Sequence, residues 1–186
     1  MRRLVLASAL SIGIAAPPAH AIITRTFTVN TTTDAVDINP GDGICATAAE
    51  VGPCSLRAAI MEANHQTGGL TKIVIPASVT PYVLTILPFG GDDETTGDLD
   101  ITRSTTIEGA GAPTTIVDGN GIDRVFFVSP SITVTISGLT IRNGLKAGGG
   151  GGGGMLNDGT LTLSSCIVSG NTAGTGGGGI SSAVGT

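Results

Sequence analysis

The chain has 186 residues, a formal net charge of −5 and 12% charged residues, and it contains one Tyr, four Phe and no Trp. The acidic balance argues against nucleic acid and anionic membrane surfaces as partners. The low charge and the many β-branched apolar residues argue against disorder. Because aromatic residues are few, the core must come from short runs of Ile, Val and Leu, which are typical of many short strands.

Residues 1–21 are predicted to form a signal peptide. Arg2 and Arg3 precede an apolar run over residues 4–16, and Ala-His-Ala at 19–21 fits a cleavage site. The run is shorter than the roughly 20 residues that span a bilayer, so a retained membrane anchor is the weaker alternative. We expect a mature chain from Ile22, without a transmembrane helix, that is secreted, extracellular or held at the outer-membrane surface.

Residues 22–70 are predicted to form an N-terminal cap. Residues 30–43 make a polar loop in which Asp34, Asp37 and Asp42 are spaced like a calcium loop. The terminal glutamate of the helix-flanked calcium pattern is missing, so a solvated turn is the favoured interpretation. No metal or other cofactor is predicted for this loop.

The cysteines fit an oxidising compartment. Cys45 and Cys54 lie nine residues apart and are expected to form a disulfide, with two buried thiols as the alternative. Cys166 is then unpaired. It lies in an apolar run, which favours a small core residue over a reactive thiol.

Residues 55–65 have the pattern of an amphipathic helix. Ser55 is a suitable N-cap, and Leu56, Ala59, Ile60 and Ala63 fall on one face. A helix of this length is marginal by itself, so its apolar face must pack on another element.

Beyond Gly69 the sequence predicts short strands separated by Gly, Asp, Asn, Pro or Ser. No helical pattern separates them, which excludes ordinary α/β folds and leaves an antiparallel sandwich or a solenoid. The predicted strands are 72–75, 82–87, 99–101, 105–107, 115–117, 125–128, 134–136, 139–141, 161–163 and 167–168.

Internal similarity favours the solenoid. The segment 134–144 resembles 161–171 at an offset of 27, the segment 105–109 precedes the first of these by 29, and Gly-Gly-Gly-Gly-Met at 151–155 returns as Gly-Gly-Gly-Gly-Ile at 176–180. One such period suits a coil of three short strands. Residues 71–186 are therefore predicted to be an all-β solenoid in which Ile107, Ile136 and Leu163 stack in one interior column. The glycines before Met155 and Ile180 are predicted to be tight turns entering strands.

The segment Cys-Ser-Leu-Arg-Ala-Ala-Ile at 54–60 resembles the hallmark of the CSLREA domain, with Ala58 in place of the motif's glutamate. That family stands at the N-terminus of exported bacterial β-helix proteins, often ones with repeats like polymorphic outer-membrane proteins. The resemblance implies a right-handed parallel β-helix whose first coil is capped by this segment. Ser55, Leu56, Arg57 and Ile60 would be structural cap residues, with Arg57 paired to a carboxylate or to loop carbonyls.

The resulting expectation is a non-catalytic structural or adhesion-type surface protein whose partner is an unidentified surface molecule or a polysaccharide. The alternative is the N-terminal part of a carbohydrate-active enzyme, a pectate-lyase-like protein or a polysaccharide hydrolase. No catalytic residue is predicted. Asp98 and Asp100 share one strand face, are expected to point outward together, and are weak candidates for calcium. Nothing in the spacing links them to the bases Arg103, Arg124, Arg142 and Lys146.

The last residues carry no recognisable cap, although terminal repeats normally need one. The sequence therefore predicts an exposed last coil and a chain that is either a truncated gene product or the front piece of a longer protein. Asn143 and Asn171, at turns after strands, are expected to bond the backbone of neighbouring coils.

Overall fold

The computed structural model describes residues 23–48, 52–90 and 93–182. The predicted signal peptide at 1–21 lies outside the described residues. One α-helix and a series of short strands make up the regular structure of the described part, and every strand pairing in it is parallel.

The strands form three main sheets that the chain visits in turn. Sheet A contains β1 (Ile23–Thr28), β2 (Leu70–Ile75), β5 (Thr105–Gly109), β8 (Thr133–Ser137) and β12 (Thr160–Ser164). Sheet B contains β3 (Tyr82–Val83), β6 (Ile116–Asp118), β9 (Thr140–Arg142) and β13 (Ile167–Ser169). Sheet C contains β4 (Leu99–Ile101), β7 (Phe126–Val128), β11 (Met155–Asn157) and β15 (Ile180–Ser182). The short strands β10 (Leu145–Lys146) and β14 (Thr172–Ala173) pair with each other between sheets B and C.

The order A, B, C recurs along the chain, so the fold is the predicted parallel β-solenoid. We number its rungs by their first strands: rung 1 begins at β2, rung 2 at β5, rung 3 at β8 and rung 4 at β12. The offsets of the sequence repeats are the same as the offsets between residues that pair in neighbouring strands. Leu161 pairs with Val134, Thr105 with Val134, and Met155 with Ile180.

The core is a set of aliphatic columns inside the rungs. Ile107 pairs with Ile136 and Ile136 with Leu163, which confirms the predicted column, and Ile73 and Phe27 extend it. Ile73, Ile107 and Ile136 are fully buried, and Leu163 packs partly buried against them. Stacking at about 4.8 Å lets each rung bury apolar groups that it could not bury alone.

The predicted strand 82–87 is shorter in the structure for a clear reason. The run 82–87 pairs only at Tyr82–Val83, and Leu84 N still donates to Asp118 O at 2.9 Å. The next two amides, of Thr85 and Ile86, donate instead to Asp34 Oδ2, so the chain leaves the sheet. The glycine-led strands begin at Met155 and Ile180, as predicted.

A cap covers the first rung. Ser55 is the N-cap of helix α1 (Leu56–His65), and its Oγ accepts from Ala58 N at 3.0 Å. The predicted apolar stripe of the helix packs in the core and consists of Leu56, Ala59, Ile60 and Ala63. Cys45 and Cys54 form the expected disulfide. Strand β1 pairs with β2, and α1 contacts β2 and β4, so the cap lies across the first rung.

Candidate functional site

Arg57 is the centre of the cap. Its Nε and Nη2 donate to the two oxygens of Asp34 at 2.7 and 3.2 Å. Nη1 and Nη2 also donate to the carbonyls of Glu94, Asp98 and Gly97 at 3.0, 3.2 and 2.8 Å. The Arg57 side chain is fully buried, so it binds both a carboxylate and loop carbonyls, the two partner types expected for it, in a structural role.

Asn64 supports the neighbouring edge in the same way. Its Nδ2 donates to Asp100 O at 2.8 Å, and its Oδ1 accepts from Thr102 N at 2.9 Å. A side-chain amide thus makes the donor and acceptor pair that a further strand would make along β4. Edge strands with unpaired backbone groups invite aggregation, and this cap satisfies them with side chains.

The structure corrects the expectation that Asp98 and Asp100 point into solvent. Their exposed fractions are 1% and 3%. Asp98 Oδ2 accepts from Arg124 Nε at 2.8 Å, and the Arg124 guanidinium lies 5.8 Å from the Phe127 ring centre. Sequence spacing placed the two carboxylates on one face but could not show that both are buried, or that Arg124 from the next rung binds Asp98. A calcium ion at Asp98 would have to displace Arg124, so the geometry does not favour this weak candidate.

The polar loop at 30–43 uses its carboxylates internally. Asp34 binds Arg57, Asp37 accepts from the amides of Asn39 and Ala46, and Asp42 accepts from Ile44 N. Glu62 of α1 accepts from the amides of Gly41 and Gly43 at 2.6 and 3.0 Å. Burial raises the pKa of Glu62 above its usual value, and the two amide bonds oppose that rise. The described residues contain no group of three His, Cys, Asp or Glu arranged to hold a metal.

A groove of about 660 Å³, which we call the corner groove, lies on the surface of the solenoid. It lies where sheet B meets the short β10–β14 sheet, and it is open to solvent. Its lining comes from every rung: Pro81 and Val83 from rung 1, Asp118, Asn120 and Gly121 from rung 2, Arg142, Asn143, Gly144 and Leu145 from rung 3, and Gly170 and Thr172 from rung 4. Three inter-rung steps of about 4.8 Å give it a length of about 14 Å along the solenoid axis.

An ion pair lies at the middle of the corner groove. Register places Arg142 directly beside Asp118, and Arg142 Nε donates to Asp118 Oδ2 at 2.8 Å. The same oxygen accepts from Asn143 Nδ2 at 2.9 Å, and Asp118 Oδ1 accepts from Asn120 N at 2.9 Å. Three donors thus hold the Asp118 side chain, which is 10% exposed, while 37% of the Arg142 side chain is exposed.

Asparagines at the adjoining turn hold the corner in shape. Asn171 Oδ1 accepts from Gly144 N at 2.8 Å, and Asn171 Nδ2 donates to Ile141 O at 3.1 Å. These bonds join rung 4 to rung 3, as expected for Asn171. Gly144 allows the close approach, because a Cβ there would lie 2.0 Å from Gly153 O.

Sequence reasoning did not identify the corner groove. It treats Arg142 only as an unattached base. It predicts that the Asn143 side chain bonds the backbone of a neighbouring coil, whereas Asn143 Nδ2 donates to the Asp118 side chain. The signal was present as an acid at 118 and an arginine at 142, but their separation falls just below the 25–29 period of the visible repeats.

The remaining predicted residues have simpler positions. Cys166 is a free, half-buried cysteine that packs against the core, with Sγ 3.5 Å from Ile136 O. Within the described ranges, no helix is both long and apolar enough to cross a membrane. No family model, curated protein or solved structure matches the chain.

Proposed function

We propose that this chain is an exported, non-catalytic β-solenoid that presents its lateral faces at or beyond the bacterial cell surface, as an adhesion-type or structural protein. The observation that carries the proposal is the parallel β-solenoid whose N-terminal cap contains the Cys45–Cys54 disulfide. Disulfides form and persist in oxidising compartments, which agrees with the signal peptide expected at 1–21.

The distribution of charged groups supports a presenting role. Arg57 and Asp34 hold the cap together, and Asp98 is buried against Arg124. The charges that remain on the faces of the rungs stand on a rigid, repetitive support, where outward side chains keep fixed spacings. The resemblance of residues 54–60 to the CSLREA hallmark agrees with this proposal and forms part of it.

Export is tested by expressing the full chain and a variant that lacks residues 1–21 in a Gram-negative host. We expect the full chain in the periplasmic, surface or medium fraction with its disulfide formed, and the shortened variant in the cytoplasm with free thiols. Thiol labelling of each fraction, with and without reductant, gives the readout. Equal cytoplasmic retention of both proteins contradicts the proposal.

The non-catalytic part is tested with the purified full chain on polygalacturonate, with added calcium and with EDTA. We expect no release of reducing ends and no unsaturated products. Turnover under either condition contradicts the proposal and makes the chain an enzyme.

A further inference from the structure

The corner groove presents hydrogen-bond donors that the protein does not use. Arg142 Nε donates a hydrogen bond to Asp118. Its Nη1 and Nη2 make no hydrogen bond to the part of the chain that the structure describes. The exposed Asn120 side chain stands close by on the groove wall. Asp118, in contrast, already accepts three bonds, so the Asp118 carboxylate is engaged within the protein while Arg142 Nη1 and Nη2 are left to face the groove.

A fixed guanidinium with two free amino groups matches a carboxylate. Arginine binds carboxylates with two parallel hydrogen bonds, and such charge-assisted bonds are the stronger ones. Asp118 holds the guanidinium plane by its Nε, so little side-chain freedom is lost when a ligand binds the outer edge. The site is thus built before the ligand arrives, with a buried carboxylate as its anchor.

The shape of the corner groove and its other lining residues indicate which kind of molecule would carry the carboxylate. The corner groove is open along its length and crosses every rung, which suits a linear ligand and not a small enclosed one. The lining includes apolar Pro81, Val83 and Leu145 as well as polar Asn120 and Thr172. A sugar chain has apolar C–H faces and hydroxyl edges that match such a mixed wall, whereas the groove has no deep apolar pocket that would anchor a peptide side chain.

We propose that the corner groove binds an acidic saccharide, with Arg142 Nη1 and Nη2 donating to the carboxylate of one uronate unit. The proposal deepens the proposed function, because it names what the exported solenoid would hold on its lateral face. The net charge of −5 opposes approach of an anionic polymer. Since charges beyond about 8 Å are largely screened at 0.15 M ionic strength, the contact at Arg142 decides affinity.

The test is calorimetric titration of the full chain with tetragalacturonate in EDTA-containing buffer. The matched probe is the same oligomer with its carboxylates methyl-esterified, which keeps the sugar chain and removes the charge. An acidic hexapeptide of glutamate supplies carboxylates without sugar. We expect measurable binding of tetragalacturonate, binding at least about tenfold weaker for the ester, and no measurable binding of the peptide.

Two variants of Arg142 distinguish the contribution of the planar guanidinium donors from the contribution of the positive charge. Arg142→Gln removes both, and binding should weaken by about tenfold or more, the loss of one charge-assisted pair. Arg142→Lys keeps a cation beside Asp118 but loses the planar fork, and it should still weaken binding several-fold. Arg103→Gln removes a positive charge outside the groove and should leave affinity within about twofold. Thermal unfolding of each variant confirms that it is folded at the titration temperature.

Three results would overturn the proposal: no binding of tetragalacturonate at millimolar concentration, equal binding of the acid and its ester, or unchanged affinity in both Arg142 variants. A fourth result, equal binding of the glutamate peptide, would also overturn it, because the groove would then recognise carboxylates without regard to sugar. Failure of export with binding intact overturns the surface function and leaves the groove site standing, and the reverse result overturns only the groove site.

Discussion

Replacement of Arg57 by Ala tests whether the cap depends on one buried side chain. The substitution removes five hydrogen bonds: two to Asp34 and one each to the carbonyls of Glu94, Gly97 and Asp98. The Asp34 side chain is 2% exposed, so its charge would lose its ion-pair partner while remaining out of water. Removing one member of a buried ion pair costs about 3–5 kcal/mol.

That cost is large against the stability of a single domain, which is typically about 5–15 kcal/mol. We therefore expect Arg57→Ala to lower the free energy of unfolding by about 3–5 kcal/mol in urea denaturation followed by circular dichroism. Arg57→Lys should lose less, about 1–3 kcal/mol, because an ammonium can still reach Asp34 but cannot bind three carbonyls in a planar fork. Arg103→Ala, at a half-buried arginine in a turn, is the matched control and should change stability by less than about 0.5 kcal/mol.

A double-mutant cycle with Asp34→Asn assigns the loss to the pair. The interaction energy between positions 34 and 57 should exceed about 1 kcal/mol, as for residues within one buried network. A loss below about 1 kcal/mol in Arg57→Ala, or additive effects of the two substitutions, would refute the view that Arg57 organises the cap.

Three further predictions concern the cap and the turns. Replacing Cys45 and Cys54 together by Ser should cost about 2–3 kcal/mol of unfolding free energy from loop-closure entropy, measured with and without reductant so that the native protein is its own control. Gly138→Ala should cost about 2 kcal/mol or more, because Gly138 has a φ of 65° and a Cβ there would lie 2.5 Å from Gly109 O; a change under 0.5 kcal/mol would contradict the close turn. Since the pKa of Glu62 is raised on folding, ionised Glu62 costs stability that is absent below pH 4.5 and complete above its folded pKa. Unfolding free energies should thus fall more steeply from pH 4 to 7 in the native protein than in Glu62→Gln, and parallel curves would be inconsistent with this.

The interior of the solenoid could be predicted because it depends on a repeating pattern. Ile107, Ile136 and Leu163 occupy equivalent places in recurring phrases, and identical stacking positions require no knowledge of side-chain geometry. Helix α1 could be predicted for a similar reason, since its cap residue and apolar stripe are local. Both features depend only on neighbouring residues or on a repeat that is visible in the sequence.

For the polar contacts, the sequence could predict the type of partner but not which residue supplies it. The sequence predicts that Arg57 pairs with a carboxylate or with loop carbonyls. That the carboxylate is Asp34 depends on how the loop folds back over the first rung. Asp98 and Asp100 were expected in solvent because strand alternation says which face a side chain takes, not what the next rung places over that face. The pair Asp118 and Arg142 was missed since sheet B advances by a different number of residues here than the repeats in the other sheets.

The cap also gives the solenoid a direction. On rung 1, sheet A is closed by strand β1, the edge of β4 is bonded by Asn64, and the chain leaving β3 is bonded by Asp34. The cap thus ends sheet A with strand β1 and bonds backbone groups near β4 and after β3 with side chains. On rung 4 the described strands keep the parallel geometry of the rungs before them, and Ile167 and Ile180 are 48% and 36% exposed. The strands of rung 4 therefore keep the geometry on which a further parallel rung could pair, whereas the first rung carries the side-chain bonds of the cap.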